Sequence, residues 1–80
     1  MYILQLEVME MLSDEQLNEY RVEGIKVRIV RDNIEANDVK GIVVAWNDEF
    51  IIIRKQNRKV IEVPRHYLCQ PMTEERANVY

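Results

Sequence analysis

Between Val39 and Gln70 the chain alternates short apolar runs with polar breaks. The runs are Val39–Trp46, Phe50–Arg54 and Lys59–Val63, separated by Asn47-Asp48-Glu49 and Gln56-Asn57-Arg58. A Pro64-Arg65-His66 corner follows, and a last short run, Tyr67–Gln70, stops at Pro71. Runs this short and this tightly joined predict strands of a small, strongly bent antiparallel barrel. Gly41 marks a bend or bulge in the first of these strands. Phe50-Ile51-Ile52-Ile53 is apolar at every position, which predicts a central strand or one covered on both sides. Upstream, Ile25–Val30 alternates apolar and basic residues, the pattern of a half-exposed strand. Asp32–Asp38 is a polar connection rich in turn formers.

The segment before these strands carries helix signals. Ser13 and Gln16 stand at capping-box spacing, and Leu12 and Leu17 occupy the two positions of a hydrophobic staple. Asp14 and Glu15 favour the positive end of a helix dipole, and Gly24 supplies a stop. The spacing predicts a helix over about 14–21. Residues 2–9 alternate in a way that suits a strand, with the start of a helix as the alternative. Residues 72–80 are polar and are expected to be a flexible tail, frayed or weakly helical.

The 80 residues predict one domain, 1–80, with the barrel over 25–70. A domain of this size buries little more than ~60% of its unfolded surface, so a homo-oligomer is expected. Cys69 is the only cysteine, which rules out an internal disulfide and suits a reducing, cytoplasmic compartment. The first residues lack the basic start of a signal peptide, and no run approaches the ~20 apolar residues of a membrane span.

The net charge of −3 argues mildly against bulk attraction to nucleic acid, but the charge is unevenly placed. Residues 7–23 hold six carboxylates against Arg21 alone, whereas residues 54–66 hold five cations against Glu62 alone. A local basic patch binds phosphate even on an acidic protein. Catalytic constellations are missing. His66 is the only histidine, and with a single cysteine no zinc-like ligand set or nucleophile–base chain assembles. The glycines are Gly24 and Gly41, too few for a phosphate-binding loop. The expectation is therefore a non-enzymatic protein without cofactor or metal.

A short helix followed by five short strands, with Gly24-Ile-Lys-Val-Arg-Ile, Gly41-Ile-Val-Val-Ala-Trp-Asn-Asp-Glu-Phe-Ile-Ile-Ile and Val63-Pro-Arg-His-Tyr-Leu-Cys, resembles the Sm-like (Lsm) family, including its bacterial branch of Hfq RNA chaperones. The likeness covers about residues 15–71. It departs from the family at Ile51, where an asparagine is usual, in lacking the Ile-Arg-Gly signature, and in a longer loop between the first two strands. The resemblance implies a small bacterial protein that forms rings joined through the fourth and fifth strands and binds single-stranded RNA at its loops. Carried over by position, Trp46 or Phe50 would stack on a base and Asn47 would contact a base edge. Arg65 and His66 would contact phosphate or a uracil-like group. Arg54, Lys55, Arg58 and Lys59 join this set as phosphate contacts. An SH3-like barrel with the same strand pattern is the alternative. It would act as a protein-interaction adaptor or inhibitor through a strand edge or the acidic helix.

Overall fold

The computed structural model describes residues 12–77. The element expected at 2–9 and the last three residues of the tail lie outside that range. Helix α1 spans Asp14–Glu23. Strands β1 (Lys26–Val30), β2 (Val39–Trp46), β3 (Phe50–Arg54), β4 (Val60–Pro64) and β5 (Leu68–Pro71) follow, with a 3-10 turn at Glu35–Asn37 between β1 and β2.

The local chemistry read from the sequence builds α1. The Ser13 side chain accepts a hydrogen bond from the Gln16 amide at 3.1 Å. The Gln16 side chain donates to Glu19 at 3.1 Å, and among the described residues it accepts no bond from the Ser13 amide, so only one half of the capping box is made. Leu17 is fully buried and Leu12 packs against the same core. At the other end Gly24 adopts φ +63°. Its amide donates to the Arg21 carbonyl and the Ile25 amide donates to the Tyr20 carbonyl. These are the two bonds of a Schellman cap, open to glycine without a Cβ penalty. The cap carries α1 to Glu23, two residues past the expected end.

The five strands form one antiparallel sheet in the order β4-β3-β2-β1-β5. Among the described residues no ladder joins β4 to β5, so the sheet is open, with these two strands as its edges. Curvature is built into β2. A bulge falls between Val43 and Ala45 opposite β3. At Gly41 a β-carbon would collide with the Arg54 carbonyl oxygen and lie 2.7 Å from Ile53 Cγ2, so only glycine lets β2 press this closely on β3. Val27, Ile29, Val43, Ile51, Ile53 and Val63 line the inner face and bury against Leu17 and Tyr20 of α1.

Two expectations are corrected. Strand β1 is not half-exposed, because Val27 to Val30 are all buried. Nor are residues 72–77 a frayed tail. The tail folds back onto Gln70 of β5 and onto the loop that follows β1. Gln70 Nε2 donates to the Glu75 carbonyl and Gln70 Oε1 accepts from the Ala77 amide, each at 2.8 Å. Arg76 grips the Asp38 carboxylate with two bonds, 2.8 and 2.9 Å, and adds a third to the Asp32 carbonyl. The Asp38 side chain is fully buried, and Arg28 Nη1 lies 3.5 Å from it. The polar loop and the tail thus cover each other through one forked ion pair.

That pair makes the fold sensitive to acid. The Arg76 hydrogen bond holds the Asp38 carboxyl below its usual range, against the opposing effect of burial. A depressed folded value contributes stability that is complete above the ordinary carboxylate range, about pH 4, and is lost as pH falls through the folded value. Asp38→Asn leaves Arg76 and Arg28 without their buried anion and is expected to cost about 3 kcal/mol at neutral pH. Urea midpoints measured from pH 7 down to pH 2 should show that loss together with a flatter acid limb than the parent protein.

Candidate nucleic-acid interface

The expected site residues separate into two groups at opposite ends of β3. Trp46, Asn47, Phe50, Arg65 and His66 belong to the β2–β3 and β4–β5 turns. Arg54, Lys55, Arg58 and Lys59 belong to the β3–β4 turn. Five residues of strand hold the two groups roughly 16 Å apart.

The first group is structural in its bonding. The Asn47 side-chain oxygen accepts from the Glu49 and Phe50 amides, both at 2.8 Å, and so builds the turn it sits in. Trp46 is half-buried against the core, and Phe50 is half-buried at the start of β3. His66 is exposed, with its ring 4.6 Å from that of Tyr67. Arg65 is buried, at 6% exposure, rather than an exposed anion contact. Its guanidinium donates to the Asn47 carbonyl at 2.8 Å, to the Leu12 carbonyl at 2.9 Å and to Asp14 Oδ1 at 2.6 Å. Its amide also donates to the Glu49 carbonyl. An open cleft of about 550 Å³ beside it is lined by Ser13, Asp14, Glu15 and Asp48. A phosphate entering there would meet three carboxylates and one arginine already paired.

The second group is electrostatically open. Among the described residues, Arg28, Arg65 and Arg76 carry the salt bridges. Arg21 bonds Asn18, and Arg31 bonds the Asn37 carbonyl. The remaining cations, Lys26, Lys40, Arg54, Lys55, Arg58 and Lys59, are all exposed. The β-register gathers them. Lys26 lies opposite Ile42, Ile42 opposite Arg54, and Arg54 opposite Val60, so these share the outer face. Lys40 stands on the same face, opposite Arg28. It lines a second cleft together with Lys55, Gln56 and Asn57. Lys26 and Lys40 were not singled out from the sequence. They are isolated charges there, and only strand pairing brings them beside the β3–β4 turn.

The β3–β4 turn itself is strained. The Arg58 amide donates to the Lys55 carbonyl at 2.9 Å, and the Lys55 amide donates to the Lys59 carbonyl at 2.8 Å. Arg58 then takes φ +70°, the conformation glycine usually fills in such a hairpin. Cys69 offers no chemistry, because burial pushes its thiol up to about 12. It is a small buried hydrophobe in β5.

Comparison against protein-family models, curated proteins and solved structures finds no match to this chain.

Arg65 and the basic end are therefore expected to respond differently to substitution. Arg65→Met removes the buried guanidinium that bonds the Asn47 and Leu12 carbonyls and the exposed Asp14 carboxylate, and should cost about 1–2 kcal/mol in a chemical-denaturation experiment. Arg65→Lys keeps the charge but cannot reproduce the fork, and should recover less than half of that loss.

Proposed function

We propose that the protein is a non-enzymatic module that binds single-stranded RNA, and that the basic outer face around the β3–β4 turn makes the principal contact. The carrying observation is the sorting of its cations. Three arginines are consumed by internal ion pairs, while Lys26, Lys40 and Arg54 share the outer face and Lys55, Arg58 and Lys59 fill the turn at its end, in a protein whose net charge is −3. Such a patch attracts a phosphate backbone by releasing condensed counterions. Half-buried Ile42 and exposed Val60 lie in the same cross-strand row as Lys26 and Arg54 and offer apolar contact beside the charges. Backbone strain supports the same reading. An arginine at φ +70° costs about 1 kcal/mol relative to glycine, which fits a side chain retained for contact and not for folding.

The Sm-like reading extends this proposal to a bent barrel that assembles into a ring. The strands which that resemblance assigns to subunit contacts, the fourth and fifth, are the two open edges of the sheet. They also carry the exposed apolar side chains Val60 and Leu68. Unpaired edges invite strand addition by a second copy. A second reading, a protein-interaction adaptor or inhibitor, draws on α1. Glu15, Glu19, Val22 and Glu23 are exposed at spacings that share one helix face, so an acidic surface with an apolar centre points outward.

Anisotropy titration of a labelled single-stranded RNA over a range of salt distinguishes these readings. Binding at low salt should fall steeply with added salt, and neutralising Arg58 and Lys59 together should reduce the log–log slope by about 1.4. Arg58→Gly is expected to raise stability by about 1 kcal/mol while weakening RNA binding, opposite signs that a merely structural residue would not give. Absence of RNA binding at low salt would overturn the proposal and favour the adaptor. Light scattering should give a closed assembly of about six or seven subunits for a ring, whereas a monomer would remove the ring but not the basic face.

A further inference from the structure

We infer that the cleft between the Glu35–Asn37 turn and the β3–β4 turn holds one nucleotide of the bound strand and prefers guanine. This rests on the nucleic-acid reading above and adds a base specificity to it. The cleft measures about 340 Å³ and is lined by Glu35, Ala36, Lys40, Lys55, Gln56 and Asn57, together with Asp38, whose carboxylate is already held by Arg76. That volume lies at the small end of the range for ligand sites, about 300–1,000 Å³. The cleft contains both kinds of group that a nucleotide needs. Lys40 and Lys55 are exposed ammonium groups without a salt-bridge partner among the described residues, placed for a phosphate. Glu35 brings a carboxylate whose one ion-pair contact among the described residues is a long 3.5 Å approach to Arg28.

Both walls are set before any ligand arrives. On one side Asp32 Oδ1 accepts from the Ile34 amide at 2.8 Å, and Asp32 Oδ2 accepts from Asn37 Nδ2 at 2.9 Å, which fixes the turn bearing Glu35. On the other side Asn57 Oδ1 accepts from the Lys59 amide at 3.0 Å, so its amide NH2 group is the part left for a ligand. Gln56 adds a second amide.

A carboxylate selects among bases by their donors. The Watson–Crick edge of guanine presents N1–H and the N2 amino group side by side, two parallel donors that match two carboxylate oxygens. Adenine offers one amino donor next to a bare ring nitrogen, which repels the carboxylate. Uracil places its single N–H between two carbonyl oxygens. Bases in single strands present these edges freely.

The test compares the pentaribonucleotides UUGUU and UUAUU, with free GMP as a third probe, against the parent protein and Glu35→Gln. Glu35 is exposed, so the variant is expected to fold. UUGUU should bind about fivefold more tightly than UUAUU, the lower end of what a bidentate contact discriminates. GMP should bind far more weakly than either pentamer. Glu35→Gln should abolish the preference and strengthen UUAUU binding, because a negative charge has left the cleft. Amide resonances of Glu35, Lys40 and Lys55 to Asn57 should move with UUGUU. A preference that survives Glu35→Gln, or resonance changes confined to the Asn47 and His66 end, overturns the assignment while leaving RNA binding intact. GMP binding as tightly as UUGUU overturns the placement of the nucleotide in a strand. Failure of both pentamers to bind at low salt overturns the RNA reading itself.

Discussion

The Arg65 guanidinium joins the parts of the molecule that sequence keeps apart. It lies in the β4–β5 turn, yet it donates to the carbonyl of Asn47 in the β2–β3 turn, to the carbonyl of Leu12 and to the carboxylate of Asp14 at the start of α1. The guanidinium itself is buried, while the Asp14 carboxylate it meets is exposed to solvent. Burying an unpaired polar group costs more than a surface contact returns, and the two terminal nitrogens of Arg65 find three acceptors here while its Nε is buried without a partner among the described residues. The position of α1 over the inner face of the sheet, and of Leu17 and Tyr20 in the core, is tied to that fork.

A second ion pair does comparable service at the far end. Arg76 and Asp38 hold the tail against the β1–β2 loop, and Arg28 of β1 reaches the same buried carboxylate. Internal pairing therefore removes three arginines from the pool of surface charge. Six of the remaining cations lie on the outer face and the β3–β4 turn, with Arg21 and Arg31 exposed elsewhere, while Asp14, Glu15, Asp48 and Glu49 make the opposite end negative. A molecule of this size with such a dipolar surface orients a polyanion toward one end and away from the other.

Much of the architecture was legible because its causes are local. The Ser13 cap, the Gly24 stop and the boundaries of β2 and β3 each follow from a few adjacent residues whose backbone preferences agree with the final fold, whereas the bulge of β2 falls between Val43 and Ala45 and not at Gly41. The candidate site was legible only in part. Arg54, Lys55, Arg58 and Lys59 could be found because they crowd into one hairpin. Lys26 and Lys40 could not, since register across three strands decides what they stand beside. Arg65 was mistaken for a surface cation because a single arginine after a proline carries no mark of burial, and Arg76 was passed over in a polar tail for the same reason.

The chain by itself determined the secondary structure, the antiparallel class and the separation of acidic and basic segments, all of which depend on neighbours in sequence. Tertiary structure decided that the sheet keeps two open edges, that the tail is a clamp, and which cations are spent inside the molecule. Those outcomes depend on pairings between residues as far apart as Leu12 and Arg65, and no local pattern encodes which distant carbonyl or carboxylate an arginine will meet.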